Sequence, residues 1–328
     1  MKESEIRNEQ AHRRYLELAR EDAMRIFHDK GKFLARPCPA CGSEKSRNEF
    51  AKDDFRYVSC TECKTLFVSP QPPYEMLAEL YDDSESTRFW VDEFFTPQAE
   101  NRRVKIFRPR ATYIAKRLPD LSRGKVADIG AGFGLFGEEL RAFWPESEFH
   151  AIEPSRKMAE ICEKKNFRVI RSMLEDIHPS EHSFDLLTSF ELLEHLHDPL
   201  TFLTKAARLL KENGWIFLTT LNGMGFDIQT LWNKSRSVMP PHHLNFLNTD
   251  SVTILLRRAG LESVEVSTPG KLDVEIVRNS APHEDSDVGR FFSYVMKNRS
   301  ESCHAEFQGW LQKHLLSSHM WVLARKRN

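Results

Sequence analysis

The sequence predicts an α/β protein: a parallel sheet with helices on both faces, preceded by a small metal-stabilised ribbon. Three observations carry this. From Lys125 onward, short apolar runs alternate with helical patterns, as βαβ units do. The first of those runs, Val126 to Ile129, ends in Gly130-Ala131-Gly132-Phe133-Gly134 before a helical pattern starts at Leu135. Upstream, Cys38-Pro39-Ala40-Cys41 and Cys60-Thr61-Glu62-Cys63 form two C-x-x-C pairs.

The totals bound the function. The chain has 328 residues, enough for more than one unit, with 40% hydrophobic and 29% charged residues. A formal net charge of -1 argues against affinity for bulk nucleic acid. No apolar run approaches membrane-spanning length, and the charged start Met1-Lys2-Glu3-Ser4-Glu5 has no apolar signal core. The expectation is a cytoplasmic protein in which Cys162 and Cys303, outside the pairs, are reduced and buried.

Residues 4–29 place Tyr15, Leu18, Ala19, Ala23, Ile26 and Phe27 at helical spacing, so 1–35 reads as an N-terminal helix that docks on its own chain. Residues 36–70 read as a zinc ribbon. Each C-x-x-C knuckle offers two thiolates, and Cys38, Cys41, Cys60 and Cys63 together close a tetrahedron with no open position, so the zinc is structural. Leu66 to Pro73 reads as an extended, proline-bounded connector. Residues 71–103 read as a helical linker in which Phe89, Trp90, Phe94 and Phe95 form a core cluster or a lid. Residues 104–328 form the main unit, opening on a basic helix over 104–118 with a solvated face and containing a helical insertion at about 286–316.

The glycines admit positive φ and let backbone approach a ligand closely, and the following helix directs N–H groups at it. Gly132 to Gly137 also spells G-x-G-x-x-G, the dinucleotide fingerprint, but the turn directly after the strand begins at Gly130. The motif in register is Asp128-x-Gly130-x-Gly132-x-Gly134. A second strand, Phe149 to Glu153, ends in a carboxylate that can accept from both hydroxyls of a ribose. A third strand covers 168–170, a fourth Ser183 to Phe190 and a fifth Trp215 to Thr220, with a sixth over 263–268 and a closing strand over 319–324.

The glycine motif, together with Ser183-Phe184-Asp185-Leu186-Leu187-Thr188-Ser189-Phe190, Glu191-Leu192-Leu193-Glu194-His195 and Asn213-Gly214-Trp215-Ile216-Phe217, resembles class I S-adenosylmethionine (SAM)-dependent methyltransferases from about residue 104 to the end. The resemblance implies a Rossmann-like sheet of seven strands whose last is antiparallel. It assigns SAM to Asp128, Gly130, Gly132, Gly134 and Glu153, with Met173, Leu174 and Phe190 near the adenine and loop contacts.

Glu191, Glu194 and His195, at i, i+3 and i+4, are expected on one helical face. The pattern resembles metal-assisted O-methyltransferases, including ubiquinone-pathway enzymes, in which it holds a divalent ion; His243 or His242 would complete such a set. Metal-free relatives carry a similar Leu-Glu-His. Pro241 to Phe246 resembles the catalytic region of sugar methyltransferases, and His243 can serve there as a general base. The catalytic candidates are therefore His243, Glu191 and His195, and His197 reads as a surface residue. The expected reaction is O- or C-methylation of a small hydroxylated acceptor, a sugar, nucleotide sugar or glycan precursor. Two other readings stand beside it. One is an RNA methyltransferase with the ribbon as recognition module, which a basic face of Lys45, Arg47, Lys52, Arg56 and Lys64 would favour. The other is a SAM-binding protein without catalysis.

Overall fold

The computed structural model describes residues 2–6, 8–178, 183–280 and 287–327. Helix α1 (Glu9–Ile26) is capped by the Asn8 side chain, which accepts from Ala11 N, and it buries the Tyr15, Leu18, Ala19, Ala23 and Ile26 stripe. Strands β1 (Ser46–Lys52), β2 (Phe55–Cys60) and β3 (Leu66–Val68) form an antiparallel ribbon. The expected connector after the second knuckle is thus a strand. Leu66, Phe67 and Val68 are all buried, and a run buried on both faces cannot be told from a connector by alternation. Helix α2 (Tyr74–Asp83) follows, and residues 85–117 run on as consecutive short helical segments that include α3 (Glu85–Phe89), α4 (Ala99–Arg102) and α5 (Arg108–Arg117).

The main unit then proceeds through β4 (Lys125–Ile129), α6 (Leu135–Phe143), β5 (Glu148–Ile152), α7 (Arg156–Lys164), β6 (Arg168–Ile170), β7 (Phe184–Phe190), α8 (Pro199–Leu209) and β8 (Leu210–Leu221). It continues through α9 (Phe226–Leu231), β9 (Asn245–Phe246), α10 (Thr249–Arg258), β10 (Leu261–Ser267), α11 (Asp273–Ser280), α12 (Asp287–Asn298), α13 (Glu301–Lys313) and β11 (His319–Lys326). Seven strands line up as β10-β11-β8-β7-β4-β5-β6. Strand β11 is antiparallel to both neighbours, and the β4, β5, β6, β7 and β8 pairings are parallel. The chain winds outward from β4 to β6 and then returns to β7 on the other side, so a crevice opens at the carboxyl ends of β4 and β7. Val126, Ala127, Asp128 and Ile129 are all buried, as a central strand covered on both faces requires. The helical insertion is two helices, α12 and α13, parted where Ser300 caps the second by accepting from Cys303 N. The sequence analysis did not anticipate α11.

The ribbon sheet does not end with its own strands. Its order is β1-β2-β3-β9, with Leu66 opposite Phe246 and Phe67 opposite Asn245. Val68 N donates to Leu244 O at 3.0 Å, the Asn248 side chain to Cys63 O at 2.8 Å, and Arg258 Nη1 to Ala40 O at 2.7 Å. Phe246, Phe27, Phe55 and Tyr57 share one buried core across the seam. The ribbon is therefore built into the main unit, where Tyr57 Oη donates to the His243 carbonyl. Phe246→Ala is expected to cost about 3–5 kcal/mol of stability, the range for truncating a buried aromatic. Denaturant unfolding measures this, and a loss under about 1 kcal/mol would show that the seam contributes little.

Candidate active site

The glycine turn fits a nucleoside ligand by its backbone. Gly130, Gly132 and Gly134 have φ of 69°, 54° and 68°. They differ in what limits them. A Cβ on Gly134 would lie 2.8 Å from Phe167, whereas one on Gly132 would meet nothing closer than Met158 sulfur at 3.9 Å. Gly134 thus lets α6 pack on Phe167, while Gly132 leaves open backbone. Glu153 Oε2 accepts from Gly132 N at 2.8 Å and Oε1 from Ser155 N at 2.9 Å, so the carboxylate is fixed against the turn. Burial raises its pKa against those two donors. Beneath it, Asp128 is pushed up to about 7 by burial, partly offset by Thr188 Oγ1 at 2.7 Å and reinforced by the Glu153 charge. Met173 stays 38% exposed beyond β6, while the Leu174 side chain is in the core, which leaves only its backbone for a ligand.

Arg110 is the residue the sequence analysis missed. The arginines of 104–118 were expected on a solvated face, and Arg108 does lie partly exposed against Glu139. Arg110 instead is 5% exposed, donates from Nη2 to Glu191 Oε1 at 2.5 Å, and lies 4.9 Å over the Phe190 ring. Its Nε has no hydrogen-bond partner among the described residues. The signal was present: position 110 is three past Phe107 and four before Ile114, on the stripe that packs inward.

The acceptor side departs from expectation in its backbone. Residues 191–198 form a turn, not a helix, and α8 starts only at Pro199 with the Asp198 side chain capping Leu200 N and Thr201 N. Glu191 N donates to Thr219 O at 2.9 Å, which holds the residue to the sheet, and its φ of 51° swings the chain away from it. The carboxylates of Glu191 and Glu194 therefore part company. Glu191 accepts from Arg110 and from Thr219 Oγ1 at 2.6 Å, with His319 Nδ1 3.3 Å from its other oxygen. Despite burial, His319 and Arg110 hold its pKa well below the usual range. Glu194 is 2% exposed and accepts from Thr220 Oγ1 at 2.8 Å; burial and the Glu191 charge push it up to about 8.

Glu194, His195 and His243 come together, with one ligand atom from each within 4.8 Å of the others. Glu191 is not in this group, so the expected Glu191-Glu194-His195 set is corrected to Glu194-His195-His243. His243 Nδ1 lies 2.5 Å from Ser237 O, and its own carbonyl accepts from Tyr57 Oη of the ribbon at 2.8 Å. His195 Nδ1 lies 3.2 Å from Tyr81 Oη, and burial and the two neighbouring histidines hold its pKa well below the ordinary value. His242 is buried between the edges of Tyr15 and Tyr81, with neither ring nitrogen partnered among the described residues, and burial lowers its pKa to about 3. His197 is not a surface residue: it is half-buried with Arg36 Nη2 at 2.6 Å. Of the linker aromatics, Phe94 is core against Tyr15 and Trp90, whereas Phe95 stacks on Phe133 of the glycine turn at 4.9 Å. The 71–103 segment thus reaches the glycine turn through Phe95 and the histidines through Tyr81.

The four cysteines gather as expected. Cys38 and Cys63 sulfurs are 3.4 Å apart and Cys41 and Cys60 sulfurs 3.5 Å apart, close to the roughly 3.8 Å edge of a tetrahedron with Zn–S of about 2.3 Å. The ribbon's cations are engaged: Lys45 with Glu62, Arg47 with Glu49, and Lys52, Arg56 and Lys64 with backbone carbonyls.

Residues 99–266 match the methyltransferase domain family. The chain belongs to that family. With the glycine turn and Glu153 in place, it is a SAM-dependent methyltransferase with the class I sheet. A ubiquinone biosynthesis O-methyltransferase of Thiobacillus denitrificans is 26% identical, over 69% of this chain and 97% of that protein. One from Xanthomonas oryzae pv. oryzae is 29% identical, over 57% of this chain and 82% of that protein. Among solved structures, a SAM-dependent methyltransferase from Thermotoga maritima aligns with a TM-score of 0.46 at 18% identity, covering 71% of this chain and 97% of that one. No helix among the described residues is long and apolar enough to cross a membrane.

Two outcomes follow for the methyltransferase. Glu153→Ala is expected to weaken SAM binding by about 1.5–3 kcal/mol, the range for hydrogen bonds to a charged group, with NAD not bound by either form. Calorimetry showing NAD binding in place of SAM would reverse the cofactor assignment. Cys60→Ser is expected to lose metal from a preparation that otherwise holds about one zinc per chain, and to lose soluble yield with it. Unchanged zinc content in a well-folded Cys60→Ser protein would refute the four-thiolate site.

Proposed function

We propose that this methyltransferase transfers the SAM methyl group to an oxygen of a small hydroxylated acceptor, a sugar or glycan precursor, and that Cys38, Cys41, Cys60 and Cys63 hold a structural zinc. The observation that carries the acceptor reading is the Glu194-His195-His243 group at the carboxyl end of β7 and β8. One carboxylate and two imidazoles form a donor set suited to a divalent ion with positions left open. Such an ion would bind acceptor oxygens and lower the pKa of a bound hydroxyl. His243 is set for this: its Nδ1 donates to Ser237 O, which directs Nε2 to the group. Asp128, the glycine turn and Glu153 would hold the nucleoside of SAM, and buried Arg110, with its free Nε, is suited to the carboxylate at the other end of that molecule.

The aromatic surroundings, Tyr15 and Tyr81 against His242 and His195, favour a second acceptor class, a phenol with adjacent hydroxyls. The names of the relatives in ubiquinone biosynthesis support that class. An RNA acceptor gains nothing from the ribbon, whose cations are already engaged. Turnover of SAM against nucleotide sugars, glycans, dihydroxybenzoates and RNA tests the acceptor, and turnover on RNA alone would overturn the reading. His243→Ala is expected to keep SAM affinity and reduce turnover by roughly 10²–10⁴, the scale for losing an acid–base or activating group. Mild chelation should abolish activity, and a divalent ion should restore it with the ribbon zinc retained. Activity indifferent to chelation would leave His243 as a plain base.

A further inference from the structure

We propose that His319 is a catalytic residue, the base that takes the acceptor's proton, with Glu191 as its positioning residue; this rests on the reading above in which His243 holds the acceptor through an ion. His319 opens β11, the antiparallel strand, and its register sets it opposite Leu221 at the end of β8. Antiparallel β11 therefore begins where the parallel strands end, which brings its first side chain to the crevice. Nδ1 is shut off from solvent and lies 3.3 Å from Glu191 Oε2, at ion-pair distance though not aligned for a hydrogen bond. The side chain keeps 36% of its surface, so the open part of the ring is the part away from Nδ1.

Glu191 is held from the side away from His319. Its backbone is left-handed and tied to Thr219 O, and its Oε1 is taken by both Arg110 Nη2 and Thr219 Oγ1. That leaves Oε2 for His319. A left-handed non-glycine residue is costly and persists only where the surroundings hold it. A carboxylate on Nδ1 selects the tautomer with its lone pair on Nε2, the outward nitrogen. The other histidines at this end of the sheet are committed elsewhere. His195 meets Tyr81 and His243 meets Ser237, both within the Glu194 group, and His242 is walled between tyrosine rings.

Five ionisable groups face the imidazole: Glu191 and Glu194 from the turn after β7, Arg110 from α5, Asp273 from α11 and Asp227 from α9. Asp273 is occupied by Ser317 Oγ, Ser318 N and Gln308 Nε2. Asp227, which accepts from Ser318 Oγ, is pushed up to about 8 by burial and the Asp273 charge. Burial lowers the His319 pKa, but the Glu191 carboxylate beside it raises it above the ordinary histidine value. In the step, the acceptor O–H bond breaks and its proton passes to Nε2. The oxygen pair forms the O–CH3 bond as the C–S bond of SAM breaks. That electron pair stays on sulfur, giving neutral S-adenosylhomocysteine, and the imidazolium then releases its proton to water.

The test follows S-adenosylhomocysteine formation by the full chain, zinc in place, with 3,4-dihydroxybenzoate and with a nucleotide sugar. His319→Gln should lower turnover by about 10²-fold or more, keep the affinity for SAM, and lose the acid limb of the rate profile, which in the parent lies above pH of about 6.5. Glu191→Gln should move that limb to lower pH and slow the reaction. Added imidazole should restore part of the rate to His319→Ala, a rescue that a structural residue would not show. A His319→Gln enzyme with the parent rate and limb would overturn the proposal. A parent protein that binds SAM yet turns over neither acceptor faults the acceptor class instead. Histidine NMR titration then decides: the His319 midpoint must fall in Glu191→Gln, and a midpoint indifferent to that change overturns the pairing.

Discussion

The pairing of β3 with β9 is the interaction on which the acceptor side of this enzyme depends. Residues 235–248 contain only two residues in a strand, and an irregular segment of that length would ordinarily be free to move. Here the ribbon grips it from one side and the Glu194 carbonyl from the other. Lys52 Nζ holds Ser235 O at 2.9 Å, Tyr57 Oη holds the His243 carbonyl, and the Asn248 side chain reaches Cys63. The Glu194 carbonyl accepts from Leu244 N at 2.7 Å and Asn245 N at 3.1 Å, so the two parts of the candidate ion site are joined through backbone as well as through side chains. A small ribbon with little core of its own needs crosslinks to persist. Zinc bound by the four thiolates would therefore also steady the segment that carries His243.

The electrostatics of the crevice divide along the same lines. Two carboxylates three residues apart in sequence are held in opposite states. Glu191 stays ionised because Arg110, His319 and Thr219 face it. Glu194 tends to stay protonated because it is buried with only a hydroxyl and faces its ionised neighbour. A divalent ion at the Glu194 group would invert that second preference by supplying the missing positive charge. The left-handed turn at Glu191 sets this division by giving the two carboxylates different partners.

This also explains what was legible in the sequence and what was not. The sheet, the glycine turn, the Glu153 carboxylate and the four cysteines are local patterns, each fixed by spacing within a few residues, and each stands where its spacing places it. The i, i+3, i+4 reading of Glu191, Glu194 and His195 failed because helical spacing is not proof of a helix. Asp198-Pro199 marks the true N-terminus, and Asp capping with Pro at the first position was the signal to weigh more heavily. Arg110 and His319 were missed because a charge on a basic helix and a histidine opening a final strand acquire meaning only from residues far away in the chain. The ribbon's fourth strand, 245–246, has no sequence signature at all: two residues are too few for a period.

The 71–108 segment completes the acceptor side. Phe95 stacks on Phe133 inside the glycine turn, Lys157 pairs with Asp92, and Arg103 and Arg108 grip Glu139 from above α6. Lys157 and Asp92 pair at the rim, where an ion pair contributes little in water, whereas Glu139 is buried beneath its two arginines and Tyr15 and Phe94 pack as core beside Trp90. The 90–108 segment is thus anchored by an apolar base and by a buried carboxylate, with one weak ion pair at its outer edge. Tyr15 and Tyr81 pack on His242, and Tyr81 on His195, from the same side. The acceptor histidines are thereby held between the 71–108 segment and the ribbon, which fixes the His243 carbonyl through Tyr57.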